Sequence, residues 1–243
     1  GGIGVVRAAM ASGKRAICAG PGNPPVIVDE TADLEQAGRD VVFGASFDNN
    51  VVCTDEKTLI AVDSIAEPLK RVMARYGAYE LDSGQLDRLM KVIFEEVPPP
   101  GRHGTMNKKF IGKNANVILH EIGIEVGDEI RLVLAEVPND HPLVWSEQMM
   151  PVFPLTRVRN VEDGIRLAKD SEHGFRHTAV IHSKNIDNMS RMARVMDCSI
   201  FVKNGPTLAG LGLGGEGFCS FTIASPTGEG MTNPRSFSRI RRC

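Results

Sequence analysis

The sequence predicts an α/β fold, a mostly parallel sheet with helices on both faces. Three observations carry this expectation. Short runs of β-branched and apolar residues alternate with amphipathic helical stretches along most of the 243 residues. Turn and cap signals separate those segments, as where Asp33 is followed by Gln36. With 42% hydrophobic and 24% charged residues, the chain is of ordinary globular composition and long enough to bury a large core.

In chain order, Val5, Val6, Ala9 and Met10 share one helical face, and Gly13 is placed to end that helix. An apolar run at 16–19 leads into the turn Gly20-Pro21-Gly22-Asn23-Pro24-Pro25 and a strand at 26–28. Asp33 caps a helix carrying Leu34, Ala37, Val41 and Val42, which runs out in Ser46-Phe47-Asp48-Asn49-Asn50. Cys53 follows, then a strand at 58–62. Ser64 with Glu67 predicts the cap of a helix ending at Tyr76-Gly77, and 85–95 is helical. Pro98-Pro99-Pro100-Gly101 is the strongest break. The polar stretch to Asn107 reads as an exposed excursion, because strand and helix patterns resume beyond it. Helices are expected at 115–122, 161–170 and 187–196, and strands at 132–135, 152–158, 178–182 and 199–202. Gly210 to Gly217 reads as a flexible turn, since no P-loop lysine follows, and 236–242 as an alternating C-terminal strand.

Charge and cysteine usage narrow the function classes. Lys plus Arg (28) nearly balances Asp plus Glu (30), so nothing points to nucleic acid or an anionic membrane as partner. Five cysteines, odd in number and without CxxC spacing, argue for reduced thiols and a cytoplasmic setting. No apolar run approaches the roughly 20 residues that span a bilayer. The chain opens Gly1-Gly2-Ile3-Gly4 without methionine and runs directly into a helical pattern, so a segment of a larger protein is expected.

Active groups of βα sheets usually sit in loops at the carboxyl ends of strands. Cys53, after a polar turn and before a strand, has two local readings: an activated thiolate, or a small buried hydrophobe like Cys18 and Cys198. Glu147, in Trp145-Ser146-Glu147-Gln148-Met149-Met150-Pro151, is a loop acid that is either solvated or bound to hydroxyls. Gly1 and Gly2 open a helix whose N-terminus could cradle a pyrophosphate, although GGxG alone is weak. His173, His177 and His182 straddle a turn and enter a strand, so they share no helix face and no metal is expected.

The run Gly20-Pro21-Gly22-Asn23-Pro24-Pro25-Val26-Ile27-Val28-Asp29-Glu30-Thr31-Ala32-Asp33, followed by Phe47-Asp48-Asn49-Asn50 and Cys53, resembles the active-site region of the aldehyde dehydrogenase superfamily. More narrowly it resembles the CoA-acylating acetaldehyde and propionaldehyde dehydrogenases of bacterial microcompartments. The interval of 28 from Pro25 to Cys53 matches that between the superfamily's strand-leading proline and its nucleophile. The likeness continues through Gly174-Phe175-Arg176-His177-Thr178-Ala179 to Pro226-Thr227-Gly228-Glu229-Gly230, and so covers essentially the whole chain.

The resemblance implies Cys53 as nucleophile, its backbone N–H as half of an oxyanion hole, and Glu147 on the nicotinamide ribose of NAD. Gly1 and Gly2 fall at the cofactor-side turn, and His177 at the acyl or CoA pocket. Met149 and Met150 depart from the superfamily's aromatic-glycine pair. Hydrolytic members carry a water-activating glutamate where this sequence has Ala19, and no acid lies between Ile17 and Pro25. The implied acceptor is therefore the thiol of coenzyme A, and the implied substrate a short-chain aldehyde. An acyl-phosphate reductase, or a folded but non-catalytic assembly domain, stays open as an alternative. The implied domains are 1–24, a remnant of the dinucleotide-binding domain; 25–217, catalytic; and 218–243, a C-terminal segment whose strand pairs subunits in a homodimer or higher homo-oligomer. The expected location is the microcompartment lumen, with any shell contact made through a segment outside this chain.

Overall fold

The computed structural model describes residues 2–215 and 217–242. Seven strands form one sheet in the order β3-β4-β5-β2-β1-β6-β7, with every neighbouring pair parallel. The strands are β1 (Pro25–Val28), β2 (Thr58–Val62), β3 (Ala78–Glu80), β4 (Leu132–Glu136), β5 (Val152–Val158), β6 (Thr178–His182) and β7 (Ile200–Lys203). The helices are α1 (Ile3–Met10), α2 (Leu34–Ser46), α3 (Asp63–Arg75), α4 (Ser83–Ile93), α5 (Ala115–His120), α6 (Val161–Ser171) and α7 (Ile186–Met196). α2 packs with α3 on one face of the sheet and α6 with α7 on the other. That arrangement buries both faces of β1 and β2, as parallel strands under crossover helices require.

β4 shows how the core is divided. Leu132 and Leu134 join the main core, whereas Val133 and Ala135 face a second cluster built from α4, α5 and Leu143, Val144 and Met150. Side chains alternate along a strand, so one strand serves two cores. The stretch after Pro98 is no free excursion. Phe94 and Met106 bridge, Glu95 N–H donates to Thr105 O at 3.0 Å, and Gly104 N–H donates to Ser146 Oγ at 2.9 Å.

Two local expectations need correction. α3 starts at Asp63 without a side-chain cap, because Glu67 is drawn to Lys70 and Arg157 instead of reaching back to its own N-terminus. The segment expected as a C-terminal strand forms a 3₁₀ turn at Pro234–Phe237 and then runs exposed, with Ile240 98% accessible. A strand exists only through hydrogen bonds to a neighbour, and among the described residues nothing in this chain supplies one. The antiparallel pair that does form beyond the sheet is β8 (Ile223–Ala224) with β9 (Gly230–Met231).

Candidate functional site

Four loops enter the sheet at its amino edge: 20–24 before β1, 51–57 before β2, 145–151 before β5 and 172–177 before β6. These loops bring Cys53, Glu147 and His177 to one edge, which puts the candidate site at the amino ends of the strands and not at their carboxyl ends. The opposite edge is closed by structural contacts. Asp29 accepts from Ser183 Oγ (2.6 Å), Asn188 Nδ2 (2.8 Å) and Thr31 Oγ1 (2.6 Å). Lys70 and Arg157 gather Asp63, Glu67, Glu80 and Glu136 at the same edge.

The chain reaches Cys53 through three consecutive residues with positive φ, Asp48 (43°), Asn49 (54°) and Asn50 (64°). Asn and Asp are the side chains that tolerate this region best. Asn49 Nδ2 donates to Gly112 O (3.0 Å) and Asn114 Oδ1 (2.8 Å), tying the loop outward. Asn50 turns inward, its Nδ2 donating to Ala45 O (2.7 Å) and Glu56 O (2.8 Å). Both amides are thus committed to the loop and neither is an oxyanion donor.

Cys53 is half-buried on the main core. Burial pushes its thiol up; Glu147 adds to this and Lys57 opposes it. Gly22 lies between the Cys53 backbone and Glu147. A Cβ there would stand 2.6 Å from Cys53 O and 3.0 Å from the His177 ring, so only glycine fits. The Gly22 N–H also bonds Glu147, whose carboxyl is raised by burial and lowered by Lys57 and by that bond.

Glu147 lines a cavity of about 480 Å³ with Ile3, Pro21, Asn23, His103, His173 and Phe175. That volume is of the size that takes a small organic ligand. Asn23 donates from Nδ2 to Val144 O (3.0 Å) and Ser171 O (2.9 Å), while its buried Oδ1 has no hydrogen-bond partner among the described residues. His173 stacks edge-on to His103 (centroids 6.2 Å apart) and leans on Phe175 (5.6 Å). A larger groove of about 630 Å³ on α2, lined by Arg39, Phe43, Tyr76 and Arg131 among others, holds none of the predicted site residues.

His177 is buried behind Gly22, its Nδ1 at 2.9 Å from Thr178 Oγ1. Burial, with a smaller push from Lys57, takes it down to about 4, so the imidazole is neutral at pH 7. His182 ends the strand that His177 precedes, which sets their Cα atoms roughly 16 Å apart at about 3.3 Å per residue. Gly2 caps α1, next to the cavity-lining Ile3, but a Cβ there meets nothing within 4 Å and its φ is −61°. This chain therefore does not itself demand glycine at that position. Gly1 lies outside the described residues.

Three residues of the site escaped sequence reasoning: Asn23, His103 and Lys57. Asn23 sits in the quoted turn and was legible as a turn residue only. His103 comes from a remote loop, and no local pattern links it to Glu147. Lys57 looks like a surface lysine until it is found fully buried.

The sequence model of the aldehyde dehydrogenase family matches residues 2–89 and 131–217. The chain is 52% identical to acetaldehyde dehydrogenase (acetylating) EutE of Salmonella typhimurium, over all of this chain and 52% of that relative. A crystal structure of Rhodopseudomonas palustris propionaldehyde dehydrogenase with bound CoA and an acylated cysteine aligns with TM-score 0.94 and 47% identity, over all of this chain and 54% of that one. A propionaldehyde dehydrogenase from the Clostridium phytofermentans fucose utilisation bacterial microcompartment aligns with TM-score 0.93 and 44% identity, again over all of this chain and 54% of that one. The chain thus spans about half the length of the curated relatives it matches. No helix among the described residues is long and apolar enough to cross a membrane.

Proposed function

The chain belongs to the aldehyde dehydrogenase family, and from that premise we propose that it carries the thioester-forming centre of a CoA-acylating aldehyde dehydrogenase acting on acetaldehyde or propionaldehyde. One observation carries the reading. Gly22 packs against the Cys53 carbonyl and hydrogen-bonds Glu147, whose charge acts on the Cys53 thiol, so the two residues are neighbours at the amino edge of the sheet.

Cys53 is the nucleophile. Its thiolate adds to the aldehyde carbon, forming an S–C bond while the carbonyl π pair moves onto oxygen. The Cys53 N–H receives that oxyanion. Glu147 and Asn23 fit a nicotinamide nucleotide, because both residues line one cavity, Glu147 with a half-buried carboxylate and Asn23 with an unpaired buried carbonyl, and both groups accept from hydroxyl or amide donors. Bound there, NAD supplies the two-electron acceptor that leaves an acyl thioester on Cys53. The thiol of coenzyme A then takes the acyl group, since the loop before β1 carries no acid at Ala19 to sharpen water. His177 lies buried behind Gly22 as a neutral imidazole, backing the cleft.

Residues 1–24 are assigned to the cofactor-binding side, 25–217 to the catalytic domain, and 218–243 to a segment that gains its strand partner in a homo-oligomer. Encapsulation in a microcompartment is supported by the origin of the aligned Clostridium phytofermentans enzyme. The test is NADH formation from propionaldehyde and CoA by the intact enzyme and by Cys53→Ala. The variant is expected to be inactive; substantial residual turnover overturns the assignment.

A further inference from the structure

Lys57 heads the fully buried side chains by size. Taking an ammonium out of water is costly, and an apolar residue of similar volume would fill the space without that cost. Core packing therefore does not explain a lysine here. Its contacts do. Lys57 Nζ donates to Asn50 O (2.6 Å), Asn50 Oδ1 (2.7 Å) and Val52 O (3.1 Å). All three acceptors belong to the segment that delivers Cys53.

The contact to Val52 sets the nucleophile. Val52 O also accepts from Asp55 N–H (3.0 Å), and Val52 N–H donates to Asp55 Oδ2 (3.1 Å). The Val52 carbonyl and the Cys53 N–H are the two ends of one planar trans peptide, so they point in opposite directions. Holding the carbonyl toward Lys57 aims the N–H away from it. Among the described residues the Cys53 N–H donates to no other residue and bonds only its own sulfur, so it stands where a ligand oxygen bound at the thiol would meet it. Burial pushes the Lys57 amino group down, opposed by Asp55, Cys53 and Glu56 of its own loop and by Glu147 of the loop before β5, while His177 faces it from the loop before β6.

We propose that Lys57 is a positioning residue that clamps the Val52–Cys53 peptide so that the Cys53 N–H meets the carbonyl oxygen, with its amino group held one peptide away from the nucleophile. The inference rests on Cys53 being the nucleophile. Misaiming one oxyanion donor lowers kcat by on the order of 100-fold, with KM for the aldehyde little changed.

The experiment compares the intact enzyme with Lys57→Met, Lys57→Gln, Lys57→Arg and Cys53→Ala. It reads thermal melting, kcat and KM, and the pH dependence of Cys53 alkylation by iodoacetamide. In folded Met and Gln variants kcat is expected to fall about 100-fold, and the alkylation midpoint to rise by about one pH unit as a nearby charge is lost. Arg, which keeps the charge, is expected to hold the midpoint near its parent value. A folded Met or Gln variant with kcat and midpoint unchanged within twofold overturns the role of Lys57. Active Cys53→Ala overturns the nucleophile reading itself, so the two failures are distinguishable. Carbon-13 spectra of lysine Cε in the unsubstituted enzyme need no variant to fold. Capping Cys53 with iodoacetamide should shift one buried lysine signal and lower its titration midpoint, and an unmoved spectrum also overturns the proposal.

Discussion

Gly22→Ala adds one methyl group at the point where three parts of the site meet. The new Cβ would lie 2.6 Å from Cys53 O, about 0.8 Å short of the 3.4 Å at which ordinary contact begins, and 3.0 Å from the His177 ring. No glycine-only dihedral is involved, so the cost comes from displacement alone. The Cys53 carbonyl is backbone and cannot swing aside as a flexible side chain would. Overpacking of this kind destabilises by about 1–3 kcal/mol. The larger effect falls on chemistry, since a shift near 1 Å at a reacting group costs about 100-fold in rate. Steady-state NADH formation with saturating aldehyde and CoA reads kcat, and a thermal melt reads stability. Gly84→Ala is the control: its Cβ meets nothing nearer than 3.4 Å in α4, and it should stabilise by up to about 1 kcal/mol with kcat unchanged. A Gly22→Ala enzyme with kcat within twofold of the parent would refute the role given to this contact.

Two further outcomes follow from burial. His182, held down to about 4 by desolvation, binds its proton later in the folded than in the unfolded chain, whose value is near 6.5. Stability is therefore full above pH 6.5 and falls as pH drops from 6.5 toward 4, by at most about 1.4 kcal/mol per pH unit for this one group. His182→Phe should flatten that limb in urea melts taken across the range, and an unchanged slope would contradict the assignment. The thiols should alkylate in the order Cys219, Cys53, Cys198: the first is exposed, the second is raised by partial burial, and the third is pushed up to about 12. Peptide mapping after brief iodoacetamide treatment checks this, and early labelling of Cys198 would count against it.

Much of the sheet was legible because its strands are short apolar runs buried on both faces. The expected strands at 58–62, 152–158 and 178–182 coincide with β2, β5 and β6. Asp33 caps α2 as its spacing predicts, accepting from Gln36 N–H at 3.1 Å. Gln36 does not complete the box, because its side chain reaches Asn204 O instead. The same competition from tertiary partners defeated the cap expected at Ser64, where Glu67 is claimed by Lys70 and Arg157. The cap that forms on α4, Asp82 with Gln85, was present in the sequence and passed over.

The site divided along the same line. Cys53 stood out through its distance from Pro25, which is a property of the linear chain. Its convergence with Glu147 depends on Gly22, and no local pattern encodes a contact between three loops. The edge of the sheet was misjudged for a related reason. The carboxyl-end rule describes open α/β sheets in general, whereas here the carboxyl edge is filled by the Asp29 network and the Lys70–Arg157 cluster. Lys57 shows the limit most clearly, because its role comes from complete burial, which one lysine in a polar loop does not announce.

On the proposed function, Cys53 forms an acyl thioester that only coenzyme A efficiently removes. Intact mass and peptide mapping of the whole enzyme after incubation with propionaldehyde and NAD⁺, without CoA, test it directly. One propionyl adduct per chain is expected, on Cys53, discharged when CoA is added and slow to leave in water alone. An adduct on another residue, or steady turnover without CoA and without any adduct, would contradict it.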